Sequence, residues 1–188
     1  MNKLRKKNLD KLKKSGVYHE SMEHDACGVG LVASTEGKKS REVVDYGIQA
    51  LKAVWHRGAV DADGKTGDGA GIHLEIPKDF FIEKIEITGH KFDNSEICVG
   101  MIFLPRNNFD AQETCRTIVE SELTKSNFSI YGWRQVPVNP KVLGEKADRT
   151  RPEIAQVLFK HNKKELSGKS LERKLYETRR KIENEAIK

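Results

Sequence analysis

The sequence has 188 residues, of which 37% are hydrophobic and 33% charged, enough to pack one substantial domain or part of a larger one. Charges break every apolar stretch well before the roughly 18 residues a bilayer-spanning helix requires, so no transmembrane segment is expected. The net charge of +6 sits at the ends: seven Lys/Arg against four Asp/Glu over 1–26 and ten against five over 160–188, with a slightly acidic body between. A nucleic-acid binder carries its basic stripe on the folded surface with aromatic residues interleaved, so neither nucleic acid nor membrane is an expected partner.

Residues 1–26 carry a basic run (Lys3, Arg5, Lys6, Lys7, Lys11, Lys13, Lys14) without the apolar core of a secretory signal and read as a leader. Three cysteines, Cys27, Cys98 and Cys115, are an odd number at irregular spacing, which suits a reducing compartment; the expected address is the cytoplasm. From Cys27 a short apolar run bounded by turn residues predicts a buried strand over 27–34. Ser40 as N-cap, Glu42 in the first turn and Val44, Ile48, Leu51 and Trp55 at helical spacing predict a helix over about 41–55. A glycine-dense loop follows over 61–71, then Ile72, Leu74 and Ile76 alternate with His73 and Glu75 as a half-buried strand stopped by Pro77. Ile97–Leu104 reads as a second apolar strand. Asp110 with Glu113 has the form of a capping box, opening a helix to about 125 whose apolar face holds Ala111, Cys115, Ile118 and Leu123. Strands with a bend over 128–138 and over 154–159 follow, then an amphipathic helix from Leu171 through Leu175, Ile182 and Ala186. Strands and helices mix without a strict βαβ rhythm, which places the chain in the α+β class.

Glycine-dense loops suggest phosphate, because freed backbone N–H groups converge on an anion. Here five residues separate Gly58 from Gly64 where a Walker A motif needs four, and Gly67–Gly71 follows no strand and opens no helix. A tight loop shaping a pocket wall is the better reading. His19, His24 and Cys27 match no closed zinc spacing, so no metal site is expected. Cys98 and Cys115 fall on apolar faces as small buried hydrophobes, whereas Cys27 stands in a different context.

That context is Glu23-His24-Asp25-Ala26-Cys27-Gly28-Val29-Gly30, then His56-Arg57-Gly58-Ala59, then Thr66-Gly67-Asp68-Gly69-Ala70-Gly71. Together these resemble the start of the large subunit of glutamate synthases. Gly132-Trp133-Arg134-Gln135-Val136-Pro137-Val138-Asn139-Pro140 and Leu171-Glu172-Arg173-Lys174-Leu175-Tyr176 resemble the same family, so the resemblance runs nearly end to end. The Cys-Gly and His-Arg-Gly elements are shared with other class II glutamine amidotransferases; the Thr-Gly-Asp-Gly-Ala-Gly loop and the leader point to glutamate synthase.

The resemblance implies that 1–26 is a propeptide cleaved at Ala26-Cys27 and that 27–188 is the N-terminal part of a glutaminase domain. Cys27 would then be catalytic, attacking the side-chain amide of L-glutamine to give glutamate and ammonia through a thioester. Its own α-amino group, with an ordinary pKa of about 7.7–8, would be the base. Arg57, Gly28 and Asp68 would support the substrate pocket, with His56 structural. The implied fold is the N-terminal-nucleophile hydrolase αββα four-layer sandwich, incomplete in this chain. Ammonia would pass to 2-oxoglutarate in a synthase region holding FMN and an iron–sulfur cluster, outside this chain. The expected partners are the remaining synthase domains and a small subunit or ferredoxin as electron source.

The family's Arg-x-Ser-Thr segment, which grips the substrate carboxylate, and its Asn-Gly oxyanion-hole pair occur nowhere in the sequence. The chain is therefore expected to be roughly the first half of the glutaminase domain and a poor enzyme alone, since one oxyanion donor is typically worth about 100- to 1000-fold in rate. The rival expectation is a catalytically incompetent docking module.

Overall fold

A computed structural model describes residues 28–54, 58, 60–67 and 69–187. The chain divides into two units, one ending at Val60 and taking in Gly67–Ile72, the other comprising Asp61–Thr66 and everything from His73 onward.

In the first unit the central element is helix α1, Arg41–Ala53. Ser40 caps it in extended geometry, its Oγ accepting from the Glu42 N–H at 3.1 Å, as the sequence indicated. Arg41 pairs with Asp45 and Tyr46 donates to Glu42, each one turn away on the exposed face. Val44, Ile48 and Leu51 are half-buried, and the Ile72 side chain lies against Gly47, where a Cβ would approach its Cδ1 at 3.2 Å. Trp55, the last residue of the apolar stripe, lies outside the described residues.

Two expected strands are absent. Residues 28–34 form no strand, with Val29 91% and Leu31 92% exposed, and 72–76 form none either. An apolar or alternating run becomes a strand only when a neighbour satisfies its N–H and C=O groups, and among the described residues no segment pairs with either stretch.

The second unit is built on a three-stranded antiparallel sheet ordered β1-β3-β2, with β1 at Cys98–Leu104, β2 at Phe128–Gln135 and β3 at Glu153–His161. Both outer strands are antiparallel to β3 and hence parallel to each other. The register runs from Cys98 opposite Phe159 to Leu104 opposite Glu153, and from Phe128 opposite His161 to Gln135 opposite Ala155. The bend expected within 128–138 is a β-bulge: Ile130 opposes Phe159 and Gly132 opposes Leu158, leaving Tyr131 as the extra residue. Gly132 takes φ +150°, and the Thr88 side chain fills the space where a Cβ would stand.

Helices cover both faces. Helix α2, Lys78–Ile87, which the sequence reading left unassigned, buries Phe81 and Ile85 in an apolar cluster with Ile97, Tyr131 and Leu158. Helix α3, Phe109–Lys125, and helix α5, Gly168–Ile187, cover the opposite face, where Val119, Leu123 and Leu171 pack with Cys98, Phe128, Val157 and Phe159. The N-cap of α3 is Asn108 rather than Asp110; its Oδ1 accepts from the Ala111 N–H at 3.0 Å, so the helix starts before the expected capping box. A short 3-10 turn, Pro140–Val142, and helix α4, Glu145–Thr150, link β2 to β3. The architecture is mixed α+β.

Gly100 lies directly opposite Val157 on the α3/α5 face, and a Cβ there would stand 2.7 Å from Val157 Cγ1. Val157 is 1% exposed and β-branched, so it has little freedom to turn away. Gly100→Ala is therefore expected to destabilise the second unit by about 1–3 kcal/mol, measured as a lower urea midpoint at unchanged slope.

Candidate functional site

The residues expected to carry chemistry fall largely outside the described region: Ala26, Cys27, His56, Arg57 and Asp68, together with the leader 1–26 and the His19/His24/Cys27 group. Gly28 opens the described chain and is exposed. What the structure defines is the glycine-dense loop between these positions and the surface on which its tip rests.

Val60 and Gly67 form an isolated antiparallel bridge. Beyond it the Asp61 N–H donates to the Thr66 carbonyl at 2.7 Å and the Gly64 N–H to the Asp61 carbonyl at 2.9 Å, with Gly64 at φ +68°. Asp63 organises the tip. Its Oδ1 accepts from the Lys65 and Thr66 N–H groups at 2.9 and 2.7 Å, and its Oδ2 accepts from the Thr66 hydroxyl at 2.6 Å. The Thr66 hydroxyl above all, then the Thr66 and Lys65 amides, hold the Asp63 carboxyl down to about 2. These amides already serve an internal carboxylate, which supports the tight-loop reading over a phosphate cradle.

The tip rests on the start of α4. Lys146 reaches Asp61 Oδ2 at 2.6 Å, and a Cβ on buried Gly144 would overlap Thr66 Oγ1 and Asp63 Oδ2 and stand 2.7 Å from the Thr66 backbone nitrogen. Helix α4 is held in turn by Asp148, whose Oδ1 accepts from Arg106 at 3.2 Å and from Arg151 at 2.9 Å; Arg151 is the main cause of its lowered carboxyl pKa. Sequence reading missed Gly144 and Lys146. The turn chemistry of Asp61, Asp63 and Thr66 is legible locally, but nothing local ties Asp61 to a residue 85 positions away.

Of the other two cysteines, Cys98 is a poor nucleophile. Burial first, then the carboxylates of Glu96 and Glu172, push the Cys98 thiol up to about 12, so it stays protonated at neutral pH. Cys115 is half-buried and free. A groove of about 360 Å³ between the end of β1 and the α4–β3 junction is lined by Phe103, Arg106, Arg149 and Arg151 among others, with no cysteine, histidine or carboxylate in its wall. Among the described residues no three His, Cys, Asp or Glu side chains gather to hold a metal. No described helix is long and apolar enough to cross a membrane.

The family profile of class-II glutamine amidotransferases matches residues 27–188, a span that opens on Cys27 and contains the whole described fold. The chain belongs to this family. It is 53% identical over 176 residues to the NADPH glutamate synthase large chain of Azospirillum brasilense, covering 94% of this chain and 12% of that one. It is 40% identical over 164 residues to the ferredoxin-dependent glutamate synthase of Cyanidium caldarium, covering 87% of this chain and 10% of that one. To the NADPH glutamate synthase large chain of Bacillus subtilis it is 33% identical over 172 residues, covering 92% and 11%. The chain thus spans about a tenth of the length of these relatives, and within the family its similarity lies with the glutamate synthase large chains.

Two outcomes follow from the ionisation states. Alkylation by iodoacetamide at pH 8 is expected to leave Cys98 unmodified in the folded chain and to reach it once urea unfolds the sheet, read by peptide mapping. Asp63 has a folded pKa below the unfolded value of 3.8, so its contribution to stability is present above pH 3.8 and lost as pH falls toward about 2. A carboxyl-carbon NMR titration should place its midpoint near 2.

Proposed function

We propose that the chain is the glutaminase portion of a glutamate synthase, hydrolysing the side-chain amide of glutamine with Cys27 as nucleophile. One observation carries this reading: the class-II amidotransferase match begins at Cys27 and continues through residue 188, alongside 53% identity to a glutamate synthase large chain. In this reading residues 1–26 are a leader removed at Ala26-Cys27, so that the nucleophile and its base share one residue. The α-amino group takes the thiol proton and the thiolate forms a bond to the amide carbonyl carbon, giving a tetrahedral oxyanion. The C–N bond then breaks, the departing nitrogen takes the proton held by the amine, and ammonia leaves a glutamyl thioester. Water hydrolyses the thioester to glutamate and returns the thiol.

Arg57, Gly28 and Asp68 are assigned to the pocket around Cys27, with the loop over 61–71 as part of its wall. The sheet and its covering helices are proposed to belong to the four-layer αββα sandwich of N-terminal-nucleophile hydrolases. Ammonia is proposed to serve a synthase region using FMN and an iron–sulfur cluster outside the matched span. Electrons would come from a small subunit or from ferredoxin, and the cytoplasm is the proposed address; the relatives include both NADPH and ferredoxin-dependent glutamate synthases. Of two similar proteins from Arabidopsis thaliana, one is named as chloroplastic/mitochondrial and the other as chloroplastic.

A second reading, a docking module without catalysis, is favoured by the far end of β1, where Met101 and Phe103 leave 49% and 65% of their area exposed on a strand with no outer neighbour among the described residues. Ammonia release separates the two. A complete glutaminase domain containing this sequence, with the carboxylate-gripping and oxyanion-hole segments supplied, is expected to release glutamate and ammonia from glutamine, and Cys27→Ala to lower the rate by about 1000-fold or more. Release equal to that of Cys27→Ala overturns the glutaminase assignment and leaves the docking reading.

A further inference from the structure

We propose that the groove between the end of β1 and the α4–β3 junction binds a small phosphomonoester, with Arg106, Arg149 and Arg151 around the phosphate and Phe103 against the organic group it carries. None of these residues has a part in the chemistry assigned to Cys27.

The groove exists because the β1/β3 ladder has to stop. Its register ends with Leu104 opposite Glu153, and the next residues on the two strands are Pro105 and Pro152. Neither proline has an N–H to donate, so pairing ends and the two chains part. Carried one position further, the same register sets Arg106 opposite Arg151. The two guanidiniums do meet, at Asp148 Oδ1, at 3.2 Å from Arg106 and 2.9 Å from Arg151. The turn after β1 is held from behind by Gln112, buried on α3, whose carboxamide nitrogen donates to the Pro105 carbonyl at 2.9 Å. The wall is therefore backbone fixed by α3 on one side and by β3 on the other.

The charge in this wall is not balanced. Arg151 foremost, and Arg106 with it, keep the Asp148 carboxyl below its ordinary value, so it is ionised at neutral pH and offsets one of the two cations. A guanidinium has five N–H donors, and the contact with Asp148 uses a single nitrogen on each arginine. Arg149 adds a third cation to the same groove. Its own partner is Glu145, one turn back on α4, and with 73% and 76% of the two side chains in solvent that ion pair holds Arg149 only weakly.

Three guanidiniums around one cavity fit a group with three acceptor oxygens. A carboxylate has two oxygens and a single charge, whereas a phosphomonoester has three terminal oxygens and about −1.5 to −2 of charge at neutral pH. The volume of about 360 Å³ lies near the lower limit for small-molecule pockets, which suits a small ester. Phe103, in the same wall and 65% exposed, offers an uncovered ring to the organic part.

The test titrates the full chain, at fixed ionic strength, with phenyl phosphate, inorganic phosphate and phenylacetate, followed by NMR of the backbone amides and arginine Nε–H groups. Phenyl phosphate is expected to give saturable shifts centred on 103–107 and 149–151. Inorganic phosphate should shift the same arginines with about 2- to 10-fold weaker affinity, the difference being the ring, and Phe103→Ala should abolish that difference. Phenylacetate, with the ring but a carboxylate, should bind at least about 10-fold more weakly than phenyl phosphate. Arg149→Gln should weaken phenyl phosphate by about 10-fold. Lys169→Gln removes the same charge beside Leu171, which packs with Cys98 at the opposite end of β1, and should leave the affinity within about 2-fold.

Shifts that do not saturate, or that spread over other basic surfaces, overturn the site. Equal losses from Arg149→Gln and Lys169→Gln assign the binding to net charge and overturn it as well. Phenylacetate binding as tightly as phenyl phosphate overturns the phosphate assignment in favour of a carboxylate. A preference for phenyl phosphate over inorganic phosphate that survives Phe103→Ala overturns the placement of the organic group.

Discussion

Strand β3 is the element on which the second unit depends. Every ladder hydrogen bond of the sheet involves it, since β1 and β2 pair only with β3 and not with each other. Its residues Ala155–Phe159 are buried in unbroken succession, with Val157 facing the α3/α5 layer and Leu158 facing α2. A strand covered on both faces reads as a continuous apolar run rather than an alternating one, as this one does. The single polar interruption, Gln156, accepts from the Arg134 guanidinium at 2.7 Å, so its carbonyl group enters the interior already partnered.

From that strand, order passes outward through polar ties rather than through more core. Asp93 accepts from Lys160 at 2.5 Å and from the Tyr131 hydroxyl at 3.2 Å, bringing the segment after α2 against β2 and β3; the Lys160 ammonium above all holds its carboxyl far below the ordinary value. Thr88 donates to both the Ile85 and Tyr131 carbonyls, closing α2 onto the bulge. At the other end of the sheet Arg106, Asp148 and Arg151 perform the same service for α4. The two ends differ in what they support. The Asp93 end seals a hydrophobic layer, while the Asp148 end carries a short helix whose exposed start receives the loop tip.

The legible elements were those whose signal is complete within one segment. The Ser40 cap and the Val44–Leu51 stripe define α1, and an apolar run defines β3, because burial on both sides leaves no polar face to confuse the pattern; β1 reads the same way because its exposed positions, Met101 and Phe103, are apolar too. Residues 28–34 and 72–76 carry a comparable pattern without becoming strands, since pairing is a property of two segments and composition reports on one. The start of α3 shows the same limit at finer grain: Asn108 and Asp110 are both capping residues, and the choice fell to the one whose carboxamide meets the Ala111 N–H. For the site, the motifs around Cys27, Arg57 and Asp68 are legible as residues of a family, but their arrangement lies outside the described residues. The seat under the loop was invisible because glycine advertises turns, and Gly144 is present for proximity instead.

The bulge at Tyr131 changes how β2 counts. In an unbroken strand, residues two apart share a face, so Ile130 and Gly132 would look the same way. With Tyr131 inserted, Phe128, Ile130 and Trp133 all join the α3/α5 layer while Tyr131 enters the other cluster. Trp133 then donates its indole N–H to Glu120 at 2.7 Å and lies under the Arg116 guanidinium, both on α3. Removing one residue here would send everything beyond it to the opposite layer, whereas a point substitution at Ser129, on the exposed side, leaves that parity intact. The tolerance of β2 is thus a matter of arithmetic before it is one of chemistry: the strand accepts changes of letter far more readily than changes of length.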